Sequence, residues 1–158
     1  MVDITEIVGN IVALVNSGNC DYFFGSKAEQ NFYGDKGTFP AVLLDEPLQS
    51  DHVLNIDTGN RYGYTLSLFF CDKVANDATP QQLRTVINAQ RNIAEEWVNQ
   101  AAAYTYPSGT NAGRKVFNLT GDITYTILDV IDFPFDVHLS GVLLTITLPV
   151  YNYNGICI

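Results

Sequence analysis

The stretch RYGYTLSLFFC (residues 61–71), followed after a short polar connection by TPQQLRTVINAQRNIAEEWV (79–98), sets the fold class. In the first segment Tyr62, Tyr64, Leu66, Leu68 and Phe70 alternate with Arg61, Gly63, Thr65, Ser67 and Phe69. A period of two sends the two sets to opposite sides of a pleated strand. One side is apolar and the other half polar, the pattern of a mostly antiparallel sheet with one covered face. In the second segment Thr79 is placed to cap a helix, Pro80 suits the first helical position, and Gln82 completes a capping box. Leu83, Val86, Ile87, Ala94, Trp97, Val98 and Ala101 fall on one stripe that runs on toward Tyr104. At about 1.5 Å per residue this helix is ~30 Å long, enough to cross a small sheet.

Upstream, Ile4, Ile7, Val8, Ile11, Leu14 and Val15 recur at helical spacing, with Asp3 as N-cap and Glu6 as its returning partner. The run NSGN (16–19) tolerates left-handed backbone and ends that helix. A short strand over 20–24 leads into a Gly-interrupted loop reaching about residue 38. The apolar run FPAVLL (39–44), closed by Asp45, Glu46 and Pro47, reads as a strand with Pro40 at its start or edge. Val53, Leu54 and Ile56 suggest another short strand.

Downstream, YTYPSGTNAGRK (104–115) reads as a long loop or hairpin tip and as the segment expected to move most. Strand character resumes over 116–130, and the apolar residues change parity at Leu128 to Val130, which predicts a bulge or the end of pairing. Val142, Leu144, Ile146, Leu148 and Val150 alternate with Leu143, Thr145 and Thr147 to form a last strand. The order predicts a single α+β domain over 1–158. It has a mainly antiparallel sheet of four to five strands, an N-terminal helix and one long helix packed on one face.

A chain of 158 residues can bury a real core. Eight basic against seventeen acidic residues give a net charge of −9. Such a surface repels phosphate backbones and anionic membranes and favours solubility. Cys20, Cys71 and Cys157 are too few and scattered for a disulfide framework or a zinc site, so free thiols are expected, with Cys71 as a small core residue. The opening apolar stretch carries Asp3 and Glu6 and no preceding basic residue, so it fails as a secretory signal. No run approaches the ~18 apolar residues of a membrane span.

The sequence carries no catalytic signature. His52 and His138 sit near strands without a second ligand at metal spacing. The carboxylate pairs Asp45/Glu46, Glu95/Glu96 and Asp129/Asp132 read as surface features. Neither GxGxxG nor GxxxxGK[ST] occurs. No catalytic, cofactor-binding or metal-binding residue is assigned, and no enzyme activity is expected. An enzyme built on Asp72, Asp129 or His138 would need these groups to converge in one cleft.

The layout resembles the tail terminator (tail completion) proteins of tailed phages and prophages, as in lambda-type tails. The resemblance rests on the helix VDITEIVGNIVALV, the strand FPAVLLDEP, the strand YGYTLSLFFCDK running into the helix TPQQLRTVINAQRNIAEEWV, and the closing pair ITYTILDVIDFPFDVHLSGVLLTITLPV. The aromatic insertion at 20–38 and the extended apolar tail depart from it. The resemblance implies a structural virion protein: a homohexameric ring that ends the tail tube, binds the tail tube protein and docks to the head connector or completion protein. Assembly would take place in the host bacterial cytoplasm, DNA would pass through the lumen without specific binding, and no membrane would be involved. Aromatic side chains at Tyr22, Phe23, Phe24, Phe32, Tyr33, Tyr104, Tyr106, Tyr151 and Tyr153 are the expected subunit or partner interface. Another neck, tube or connector subunit, or a monomeric small-ligand binding module, would suit the same pattern.

Overall fold

The computed structural model describes residues 3–26, 29–30, 33, 37–46, 48–53, 61–119, 123–131, 138–151 and 153. Helix α1 (Ile4–Val12) and a 3-10 turn (Asn16–Gly18) are followed by β1 (Asp21–Gly25), β2 (Ala41–Asp45), β3 (Gln49–Val53) and β4 (Arg61–Lys73). Helix α2 (Pro80–Ala103), β5 (Tyr125–Val130) and β6 (Leu139–Val150) complete the order.

β4 is central because its alternating side chains are wanted on both sides. It pairs antiparallel with β6 over the whole run from Tyr62 opposite Val150 to Lys73 opposite Leu139. Its other side is shared: β2 lies against Leu68–Cys71 and β3 against Arg61–Thr65. Between Leu44 (opposite Leu68) and Gln49 (opposite Thr65) the chain takes five steps while β4 takes three, so two extra residues are accommodated there. β5 adds to β6 antiparallel and β1 adds to β2 in parallel, giving the order β1-β2-β4-β6-β5 with β3 beside β4. The α+β class and the mainly antiparallel sheet are as the sequence predicts. Among the described residues the sheet has six strands, one of them the polar segment Gln49–Val53, exposed throughout and paired through its backbone. Of the strand expected at Val53, Leu54 and Ile56, only Val53 lies within the described residues.

Both helices lie on one face. The Asp3 carboxylate accepts from the Thr5 and Glu6 N–H groups, and Ile4, Ile7, Val8, Ile11 and Val12 are buried. The helix ends at Val12, so Val12 takes the inward place expected of Leu14, which is 51% exposed. Helix α2 starts on the expected capping box: the Thr79 hydroxyl accepts from Gln82 N–H and the Gln82 side chain accepts from Thr79 N–H. Trp97, Ile87 and Ala94 then meet Leu66, Leu68, Phe70, Leu144 and Ile146 in the main core. Each such Leu or Phe contributes about 1.5–3 kcal/mol by leaving water.

The other sheet face is covered only in part. Ala41, Leu43, Phe69, Cys71 and Leu139 form a second cluster there, with Phe23, Tyr33, Phe39, Val130 and Leu143 packed beside it. Cys71 is fully buried, as a small core residue. The 104–115 segment is a closed hairpin tip: Tyr106 N–H donates to Arg114 O, Gly113 N–H to Tyr106 O, and Thr105 bridges Lys115. Among the described residues no helix is long and apolar enough to cross a membrane.

Candidate interaction surface

Strand β5 forms one margin of the sheet, hydrogen-bonded to β6 on one side only among the described residues. Its pairing with β6 is unbroken from Tyr125 opposite Ile146 to Val130 opposite Gly141. Of the two outcomes expected at the parity change over 128–130, no bulge occurs, and the pairing ends there, at Val130. The alternation of β6 fixes the facing: Tyr125, Ile127 and Asp129 lie on the helix side, and Thr126, Leu128 and Val130 on the opposite side. The parity change therefore marks an apolar residue placed on the thinly covered face.

Five large hydrophobic residues are exposed among the described ones, and three belong to this margin: Tyr125 at 40%, Leu128 at 59% and Ile131 at 56%. Isolated exposed apolar side chains are ordinary, but a group of them on an unpaired strand marks a place where another chain can add. On the helix side of the same strand, Arg84 Nη1 donates to Asp129 Oδ2 at 2.7 Å and Arg91 Nη2 donates to Asp129 Oδ1. The Arg84 and then the Arg91 hydrogen bonds hold the Asp129 carboxyl below the usual carboxylate range. Two guanidiniums around one carboxylate leave a surplus positive charge on an acidic protein.

Leu128 also ends a row of side chains. Leu128, Leu143, Phe69, Leu43 and Phe23 lie directly opposite one another across β5, β6, β4, β2 and β1. Phe69 and Leu43 are buried, whereas exposure rises toward the β5 end.

The aromatic residues expected at an interface have partners within the molecule. Tyr22 OH donates to Thr5 O, and its ring lies against Gly9. Phe23 stacks on Tyr33 at 4.8 Å, and the Tyr33 hydroxyl donates to Asp21 Oδ2. Phe24, Tyr104 and Tyr106 pack against the main core, and Asn10 Nδ2 donates to Tyr104 OH. Tyr151 stacks on Tyr153 at 5.5 Å, Arg114 lies over the Tyr153 ring, and Tyr153 OH donates to Lys115 O. Phe32 lies outside the described residues. All eight described residues keep partial exposure, and none of them belongs to β5.

Of the groups that could serve acid–base chemistry, Asp72 and Asp129 lie apart. Asp129 is held by arginines, and Asp72 lies opposite Ser140 with its carboxyl raised by burial. Asp72 and Asp129 are two strands and two residues apart, about 12 Å by ordinary sheet spacings. His138 lines a groove of about 170 Å³ with Ala75, Leu83, Ile131 and Ser140, at the end of β5. His52 is exposed and stacks on Tyr62 at 5.8 Å. Asp45 accepts from Gln30 Nε2 and Glu96 from Asn16 N–H, so both act as local braces. Asp132 lies outside the described residues. An open groove of about 490 Å³ beside Asn19, Cys20, Asp21 and Phe39 holds a thiol that burial and nearby Asp21 push up to about 12. A thiol so protonated is a poor nucleophile. Among the described residues no three His, Cys, Asp or Glu side chains are grouped to hold a metal ion.

No family model matches the chain, and no curated protein matches it.

Proposed function

We propose that this chain is a structural subunit that assembles with copies of itself into a ring. The observation that carries the reading is the gathering of Tyr125, Leu128 and Ile131 on a sheet margin that is unpaired among the described residues. An edge strand with apolar side chains exposed on both of its faces is a liability for a lone molecule and an asset for one that assembles.

Within that reading we place the chain with the proteins that terminate a phage tail tube and join it to the head connector. The support is the resemblance in order: opening helix, strand, long central strand running into a long helix, closing strand pair. A net charge of −9 suits a wall past which DNA slides. A virion subunit of this kind carries no enzyme activity, works without a cofactor, and meets the tube protein and the connector as partners.

Size-exclusion chromatography with light scattering, on the chain alone and with tube protein added, tests the proposal. A ring-sized species in either sample supports it; six subunits would match the tail-terminator form. A monomer in both samples overturns it.

A further inference from the structure

Resting on that reading, we infer that the ring joint is head-to-tail: the β5 margin of one copy adds to the β1 margin of the next. The two margins fit in five respects. Both strands are unpaired on their outer sides among the described residues, and their lengths match, six residues in β5 and five in β1. Their directions also suit. β1 runs with β2 and opposite to β4, whereas β5 and β4 both run opposite to β6, so β1 and β5 are antiparallel. A rotation about an axis along the strands preserves those directions, so β5 meets the neighbour's β1 in the antiparallel arrangement, the stronger of the two ladders.

The apolar row decides the register. Leu128 and Phe23 are the two ends of the cross-strand row Leu128–Leu143–Phe69–Leu43–Phe23. A joint with Leu128 opposite the neighbour's Phe23 carries the row from one copy into the next and covers the exposed leucine. Charge agrees with that orientation. β5 is flanked by Arg84 and Arg91, whereas β1 carries Asp21, has Asp3 near Tyr22, and has Glu29 against Gly25. Pairing β5 with a second β5 would instead set arginines against arginines. A contact that uses two different surfaces must close into a ring or run on as a filament.

Two measurements test the joint. In the first, Leu128→Lys is compared with Leu14→Lys, a residue of similar exposure just beyond the end of α1. Leu128→Lys is expected to weaken assembly about 10- to 100-fold, the cost of losing one buried leucine contact, and Leu14→Lys to leave it unchanged. Both are surface changes, so thermal melts of the monomers should coincide with wild type. In the second, Phe23→Cys and Leu128→Cys chains are mixed and oxidised. A disulfide between the two introduced thiols, mapped by mass spectrometry, is expected. Unimpaired assembly by Leu128→Lys overturns the β5–β1 joint and leaves a ring built on other surfaces standing, whereas trapping only between two Leu128→Cys chains shows a two-fold contact and overturns joint and ring together. A wild-type chain that never assembles overturns both.

Discussion

Gly141 lies against the Phe70 carbonyl across the β4–β6 ladder so closely that a Cβ on Gly141 would overlap that oxygen. The neighbouring contact is also backbone, the Cys71 Cα, so no side chain can swing away to make room. Gly141→Ala is therefore expected to force the two longest strands apart and to destabilise the fold by roughly 2–3 kcal/mol. Chemical denaturation reads this as a lower midpoint at unchanged slope. Wild-type stability in the variant would mean that the two strands do not approach in this way.

Thr79→Ala removes one half of the α2 capping box and leaves Gln82 N–H without its acceptor. The expected loss is about 1 kcal/mol, with Thr79→Ser close to wild type because serine keeps the hydroxyl. Equal stability for the alanine and serine variants would show that the cap is dispensable.

The Asp129 cluster predicts a definite pH dependence. Arg84 and Arg91 lower its carboxyl in the folded chain, so the unfolded chain takes up this proton first as pH falls. The stabilisation is full above the unfolded pKa of about 4 and is lost as pH drops through the lower folded value. Exposed pairs of this kind contribute about 0.2–1 kcal/mol each, less in high salt. Asp129→Asn should therefore differ from wild type at pH 7 and converge with it in strong acid, as read from denaturant midpoints across pH. A difference that grows on acidification would contradict the arrangement.

Thiol reactivity should separate the cysteines. Burial raises both Cys71 and Cys20, the latter to about 12. At pH 8 a free thiol is roughly one quarter thiolate, against about one part in ten thousand at a pKa of 12. Pulse alkylation followed by peptide mapping should leave Cys71 unmodified and Cys20 nearly so in the native chain, with both labelled in denaturant. Fast native labelling of Cys71 would mean that its cluster opens readily.

The elements that rest on strong periodicity were readable residue by residue. The alternation from Tyr62 to Phe70 gave the central strand, and Thr79, Pro80 and Gln82 gave the start of α2. Where burial and polarity part company the reading fell short. Gln90 and Ile93 both lie in the buried stripe of α2, and the glutamine there breaks the pattern a sequence can display. Gln49–Val53 forms a strand held by backbone pairing, with no apolar face to announce it. The candidate surface was half visible: the parity change at Leu128 was there to see, but exposure depends on what covers the sheet, and no local pattern carries that. Aromatic content pointed instead to residues that find partners inside the fold, such as Phe23 on Tyr33.

The two additional residues between β2 and β3 have a consequence for how this gene can drift. Because the excess is even, Ser50 and His52 stay on the same side as Leu44, and every side chain after the interruption keeps its orientation. Losing or gaining two codons in 45–48 would thus be absorbed as a change of loop length, while a single codon would turn the whole of the following arm inside out. Natural variants of this region should accordingly differ in steps of two.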